Sequence, residues 1–231
     1  MKKLPKYLRQ KILTVCDVIQ KYHRTKYMQQ FKERLQNKDF TLISNNCNGG
    51  ILCHELGLRF NSPTINLYFS NEDYIRYLQN FDYYNSLEIK FAKDLENSYP
   101  IGQLDDVKIH FVHYKTPQEA KEKWEGRKNR INKEKLFVIF TEQGNCAYKH
   151  IEAFDALPFE NKVVFTANKY DDIKSSVYIK GIKDKKMGVF NFYSFLNHFT
   201  KKRKYDVFDW VSWFNGERDL KKLDLQNKEN L

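Results

Sequence analysis

The chain has 231 residues, 41% hydrophobic and 16% aromatic, which is enough for a full core and excludes a disordered protein. Its mean hydropathy of −0.72, with no apolar run near the roughly 18 residues a membrane helix needs, excludes a membrane span and predicts a soluble protein. The formal net charge of +11 is concentrated at one end, since residues 1–38 hold 11 Lys and Arg against Asp17 and Glu33 alone.

In that arm Leu8, Ile12, Val15, Ile19 and Tyr22 recur at three- and four-residue intervals, so a helix gathers them on one stripe with lysines around the rest. Two readings follow: the stripe packs on the following domain, or the arm makes peripheral contact with an anionic membrane. Nucleic acid is not expected, because neither a stacking signature nor a DNA-binding helix motif is present. The opening lysines resemble a secretion signal, but Asp17 interrupts the apolar run and no small-residue cleavage site follows. Cys16, Cys47, Cys53 and Cys146 form no CxxC pair, which predicts reduced thiols in a cytoplasmic protein without structural zinc.

From Asp39 strand-like and helix-like runs alternate. Strands are expected at Phe40 to Ser44, Thr64 to Phe69, Leu87 to Phe91, Val107 to Val112, Leu136 to Phe140, Val163 to Thr166 and Val177 to Ile179. Ser70 opens a helix as N-cap with acids in the first turn, and Thr116 opens another, followed by Pro117 and Glu119. In the second, Ala120, Trp124 and Ile131 share a face that should lie against a sheet. Phe190 to Phe199 and Val207 to Phe214 read as two aromatic helices, and the tail from residue 216 is charged and expected to fray. The predicted architecture is a three-layer α/β/α fold with a mixed or mostly parallel sheet: a basic helical arm at 1–38, an α/β domain at 39–215 and a tail at 216–231.

Between the first two expected strands runs the loop Asn45-Asn46-Cys47-Asn48-Gly49-Gly50. A polar, glycine-bearing loop at a buried strand's exit, leading into a helix N-terminus, suits a phosphate or carboxylate. The plainer reading is a strand-to-helix turn in which asparagines cap backbone groups. It is no Walker loop, since Ile51 and Leu52 replace the lysine and hydroxyl. Cys47 near the helix start is a nucleophile candidate or inert packing; His54 lies two turns further on, too far to pair with it directly.

His113 is in phase with Val107, Ile109 and Phe111 at a strand's carboxyl end, a position for acid–base chemistry or for a buried histidine bonded to backbone. Asp105 and Asp106 lie at that strand's other end, over about 20 Å away by strand rise, and lack the Asp-x-Asp pattern of metal-dependent nucleotide-sugar transferases. Arg127 flanks the buried face of the Trp124 helix, either as a clamp for phosphate or carboxylate or as one half of an ion pair.

The Ile-Ser-Asn-Asn-Cys strand exit, Gly57-Leu58 followed by Ser62-Pro63-Thr64, Tyr99-Pro100-Ile101-Gly102, and His113-Tyr114 ahead of Lys123-Trp124 and Arg127 together resemble one family over about residues 39–214. That family is catalogued as domain of unknown function 1919, and its members are often labelled exopolysaccharide or capsular polysaccharide biosynthesis proteins. The family pattern carries a tryptophan after the cysteine where this chain has Asn48, so an aromatic platform there is absent. The resemblance implies a context and no catalytic residue.

Joined to the residue reading, it leads to an expected cytoplasmic glycosyl- or acyltransferase of surface-polysaccharide biosynthesis. His113 would take a proton from an acceptor hydroxyl, Asn45, Asn46, Cys47, Gly49 and Gly50 would contact ligand, and Arg127 would hold a phosphate. The partners would be a sugar intermediate and an activated donor, either nucleotide sugar or acyl-CoA, with no cofactor or metal named by the sequence. Competing readings are a non-catalytic scaffold of the same pathway and a small hydrolase using Cys47.

Overall fold

The computed structural model describes residues 5–91, 98–182, 188–189, 191–197 and 200–226, with backbone only at Lys6 and Arg9. The chain divides into two compact units, one formed by residues 38–54 and 59–190, the other by 1–37, 55–58 and 191–231.

The larger unit is built on a four-stranded sheet of β1 (Thr41–Ser44), β5 (Leu136–Thr141), β6 (Asn161–Thr166) and β7 (Ser176–Tyr178), in the order β1-β5-β6-β7 and parallel throughout. Its central strands read Leu-Phe-Val-Ile-Phe-Thr and Asn-Lys-Val-Val-Phe-Thr and are buried almost residue for residue, as expected of a parallel sheet flanked by helices. The helices are α2 (Asn48–Leu56, of which residues 55 and 56 count with the other unit), α3 (Asn71–Gln79), α4 (Phe81–Ser86), α5 (Pro117–Lys128) and α6 (Tyr148–Asp155). Tyr74 and Tyr77 of α3, Ala120 and Trp124 of α5, and Ile151 and Phe154 of α6 join Ile43, Val138, Phe140 and Val164 in one core cluster. Two caps are as the sequence predicts. Ser70 Oγ accepts from the Asp73 amide at 3.1 Å, and Thr116 Oγ1 from the Glu119 amide at 3.2 Å, with Pro117 starting the helix.

A second, antiparallel sheet joins β2 (Lys90–Phe91), β3 (Ile101–Leu104) and β4 (Val107–His110). The strand expected at Val107 to Val112 is therefore shorter and belongs to this small sheet. Asp105 and Asp106 make its hairpin turn, Asp105 at a φ of 50°.

The run Thr64 to Phe69 is not a strand. Pro63 has no N–H to donate, Asn66 sits at a φ of 61°, and the run's ladder contact is an isolated bridge from Tyr68 to His110. Its polar groups are bonded otherwise: Thr64 Oγ1 accepts the Ser44 amide at 3.1 Å and the Phe69 amide reaches Asn45 O at 3.0 Å.

In the smaller unit, α1 (Lys6–Arg34) is accompanied by a 3-10 turn at Lys204–Val207, α7 (Trp210–Phe214) and α8 (Leu220–Leu223). Tyr205, Phe208, Trp210, Trp213 and Phe214 are buried, their rings meeting edge to face or tilted. The helix expected over Phe190 to Phe199 is absent from the described residues 191–197, where Asn191 at a φ of 59° breaks the run and Phe195 bridges Arg203. Beyond Asn215, Asp219 caps α8 and Leu223 is buried, where charge alone had predicted fraying; residues 227–231 lie outside the described ones.

Arg24, only 3% exposed, binds the carboxylates of Glu55 and Asp206. Burial works against its charge, yet the bonds to Glu55 and then Asp206 raise its pKa. Burial likewise pushes Glu55 up, but Arg24 outweighs it and the net shift is downward; for Asp206 burial wins and the shift is upward.

Candidate functional site

β1 and β5 are neighbours and parallel, so their carboxyl ends open on the same edge and their exit segments, 45–47 and 142–147, stand side by side. Asn45 stitches the two exits: its fully buried carboxamide accepts the Thr141 amide and donates to Thr141 O, both at 3.0 Å, prolonging the ladder with a side chain. Asn46 Oδ1 accepts the Asn48 amide at 3.0 Å and so caps the start of α2, while Nδ2 donates to Gln143 Oε1 at 2.9 Å. Asn48 Nδ2 donates to Thr141 Oγ1, and Asn71 Nδ2 to Gln143 O, each at 3.0 Å. Three atoms of this carboxamide cluster, Asn48 Oδ1, Asn71 Oδ1 and Gln143 Nε2, are buried without a hydrogen-bond partner among the described residues.

α2 starts as tightly as its two glycines allow. A Cβ on Gly49 would lie 2.9 Å from Ser44 Cβ, and one on Gly50 2.8 Å from Asn66 Oδ1. Their N–H groups fall in the first turn, where helical geometry supplies no acceptor within the helix.

Cys47 directly precedes this helix and is half-buried. His113 reaches it across 66 residues of sequence, with Nε2 at 3.1 Å from Cys47 Sγ. The histidine side chain is exposed and lies in the turn between β4 and α5, which Tyr114 N tightens by donating to Phe111 O at 3.0 Å. Burial pushes the Cys47 thiol up to about 11, so the pair rests as a protonated thiol against an imidazole nitrogen. Such a pair can pass the thiol proton to Nε2 as sulfur attacks an electrophile.

Arg127 does not join this surface. It is 8% exposed, donates to Ile65 O at 3.1 Å and to the Tyr114 hydroxyl, and lies over the Phe60 ring. Tyr114 donates in turn to Ile65 O at 3.0 Å, and Cys47 Sγ lies 3.9 Å from Leu67 O. Arg127 thus braces the segment that passes behind Cys47 and the residue next to His113, a supporting place in the interior.

The seven singled-out residues are therefore distributed in a definite way. Asn45 and the two glycines shape the strand exit, Asn46 links its cap to Gln143, Cys47 and His113 meet, and Arg127 lies behind. The sequence reading missed Gln143 and Thr141, which the adjacency of β1 and β5 brings to the loop, and Asn71, which opens α3; it tested Cys47 against His54 instead of His113. Among the described residues no group of three or more His, Cys, Asp or Glu could hold a metal ion.

A family model described as "Domain of unknown function (DUF1919)" matches residues 18–215. A Haemophilus influenzae relative described as "Uncharacterized protein" is 42% identical over 206 residues, 89% of this chain and 97% of the relative. The chain belongs to the DUF1919 family.

Proposed function

We propose that this member of the DUF1919 family is a cytoplasmic acyltransferase of bacterial surface-polysaccharide biosynthesis, with Cys47 as nucleophile and His113 as its base. The contact between Cys47 Sγ and His113 Nε2 at 3.1 Å is the observation that carries the reading. Of the two transfers the sequence leaves open, glycosyl and acyl, a thiol beside an imidazole favours the acyl one, because a thiolate adds readily to an acyl carbonyl.

In the first half-reaction Nε2 takes the Sγ proton, the S–C bond forms, the bond from acyl carbon to donor breaks, and the proton leaves with the donor's thiol. In the second, His113 takes the proton of a sugar hydroxyl, the O–C bond forms, and the S–C bond breaks to return the thiol. The Asn48 amide beside Cys47 is taken by Asn46 Oδ1, so the first-turn N–H groups of Gly49 and Gly50 are proposed as donors to the developing oxyanion. The polysaccharide setting rests on the motif resemblance, and the sugar is proposed as acceptor on that ground.

The test is intact-mass spectrometry of the full chain incubated with acetyl-CoA and with palmitoyl-CoA. An adduct of acyl mass on Cys47, absent in Cys47→Ala and slower to form in His113→Gln, is expected. No adduct with either donor, together with unchanged polymer acylation in cells carrying either variant, would remove the catalytic reading. The non-catalytic scaffold would then stand, which the protonated resting state of the Cys47 thiol already favours as an alternative.

A further inference from the structure

The two faces of α1 have opposite environments. Gln20, Arg24 and Met28, at four-residue steps, are buried, and Gln20 Nε2 donates to the carbonyls of Asn197 and Thr200, both at 2.7 Å. Leu8, Ile12, Val15, Ile19 and Tyr22, spaced four and three residues apart in alternation, fall roughly on the other side of the cylinder at 100° per residue. All five are exposed, from 37% at Leu8 and Ile12 to 57% at Val15, and Val18 at 63% widens the row. The stripe that the sequence allowed to pack on the domain is therefore open along about four turns, and a continuous apolar row of that length marks a contact surface.

Charge selects what covers it. Lys11 and Lys26 are exposed on the side of the row, whereas Asp17, the one acid among the first 32 residues, lies about 200° round from Val15, on the far side, with Lys21 one turn beyond it. Lys11 Nζ sits 5.4 Å from the Tyr7 ring centre and Lys26 Nζ 4.8 Å from that of Tyr22, so cations and phenol rings edge the row together. Apolar side chains in the middle with lysines and tyrosines at the margin match the boundary between acyl chains and anionic headgroups. A second copy of the row would bring lysines against lysines with no acid on the meeting face. No helix among the described residues is long and apolar enough to cross a membrane, so the contact lies in the plane of the bilayer.

We propose that the exposed row of α1 seats the protein on an anionic lipid surface, with Val15, Val18, Ile19 and Tyr22 entering the interface and Lys11 and Lys26 at headgroup level. The experiment is co-sedimentation of the full chain with phosphatidylcholine vesicles and with vesicles also containing phosphatidylglycerol, over a range of salt, with sedimentation velocity in parallel. Binding to the anionic vesicles that weakens as salt rises, and that falls about tenfold or more in Val15→Ser/Ile19→Ser and in Lys11→Glu/Lys26→Glu, is the expected result. These side chains are exposed, so the thermal midpoint should stay within a degree or two of the parent's. Equal binding to both vesicle types, no binding to either, or retention by both variants overturns the proposal. A dimer in solution that Val15→Ser/Ile19→Ser dissolves would assign the row to a second copy and overturn it as well.

Discussion

Asn45 looks in sequence like one polar residue among several in a loop, yet its two bonds to the Thr141 backbone make it part of the sheet. Asn45→Ala leaves a buried N–H and a buried carbonyl without those partners, and the unfolding free energy should fall by about 2 to 4 kcal/mol, read from the urea midpoint. Cys47 behaves differently, because its environment acts on its proton. Burial pushes the thiol up to about 11, so the thiolate fraction at neutral pH is small and grows about tenfold per pH unit until that value is approached. Iodoacetamide alkylation of Cys47, followed by peptide mass spectrometry, should climb steadily from pH 7 to pH 10. A plateau already reached at pH 7 would mean a resting thiolate–imidazolium pair and contradict a protonated ground state of Cys47.

At the scale of elements, the helix starts were the most legible features, because a cap is local chemistry. Ser70 and Thr116 each need only a neighbour three residues on, and both make the expected bond. Ser70→Ala should cost about 1 kcal/mol in thermal or urea unfolding. The anchoring of α1 was illegible for the opposite reason: Arg24 meets Glu55 and Asp206, 31 and 182 residues away. Removing one partner of a buried charge cluster strands the others, so Arg24→Ala should destabilise the fold by about 3 to 5 kcal/mol near neutral pH. The pH dependence follows from the shifts. Glu55, lowered by Arg24 against the push of burial, contributes stability present above its unfolded pKa and lost as pH falls through its folded one. Without Arg24 the buried carboxylates instead gain from protonation. The stability gap between parent and variant should therefore narrow as pH falls from 7 to 4; a gap that stays constant would show that Arg24 acts through packing alone.

For the whole molecule, the alternation of runs was enough to read an α/β protein, since β1, β5 and β6 lie in segments whose buried residues are nearly continuous, while the edge strand β7 alternates. Strand order was not readable, and with it went the meeting of Asn46 with Gln143, a consequence of β1 lying beside β5; the meeting of Cys47 with His113 was hidden for another reason, since His113 follows β4 of the separate small sheet. Of the small sheet, β2 and β4 fall inside expected strands, while β3, four residues that include Gly102, carried too little pattern for a periodicity argument. Neither could the sequence show that the N-terminal helix and the C-terminal segment, about 180 residues apart, belong to one unit. That membership carries a prediction for a deletion of residues 1–37. The cut removes Arg24 from Glu55 and Asp206, Gln20 from the carbonyls of Asn197 and Thr200, and the Gln36 and Asn37 amides from Asn215 Oδ1. The β1 and β5 pairing, by contrast, runs entirely between residues 41–44 and 136–139, outside the deleted stretch. Hydrogen exchange on the deleted chain should accordingly show lost protection at Trp210 to Phe214 while the amides of Leu136 to Thr141 stay slow. Retained protection at Trp210 to Phe214 would mean that α7 and its aromatic cluster hold without α1, and that the long helix is a detachable appendage.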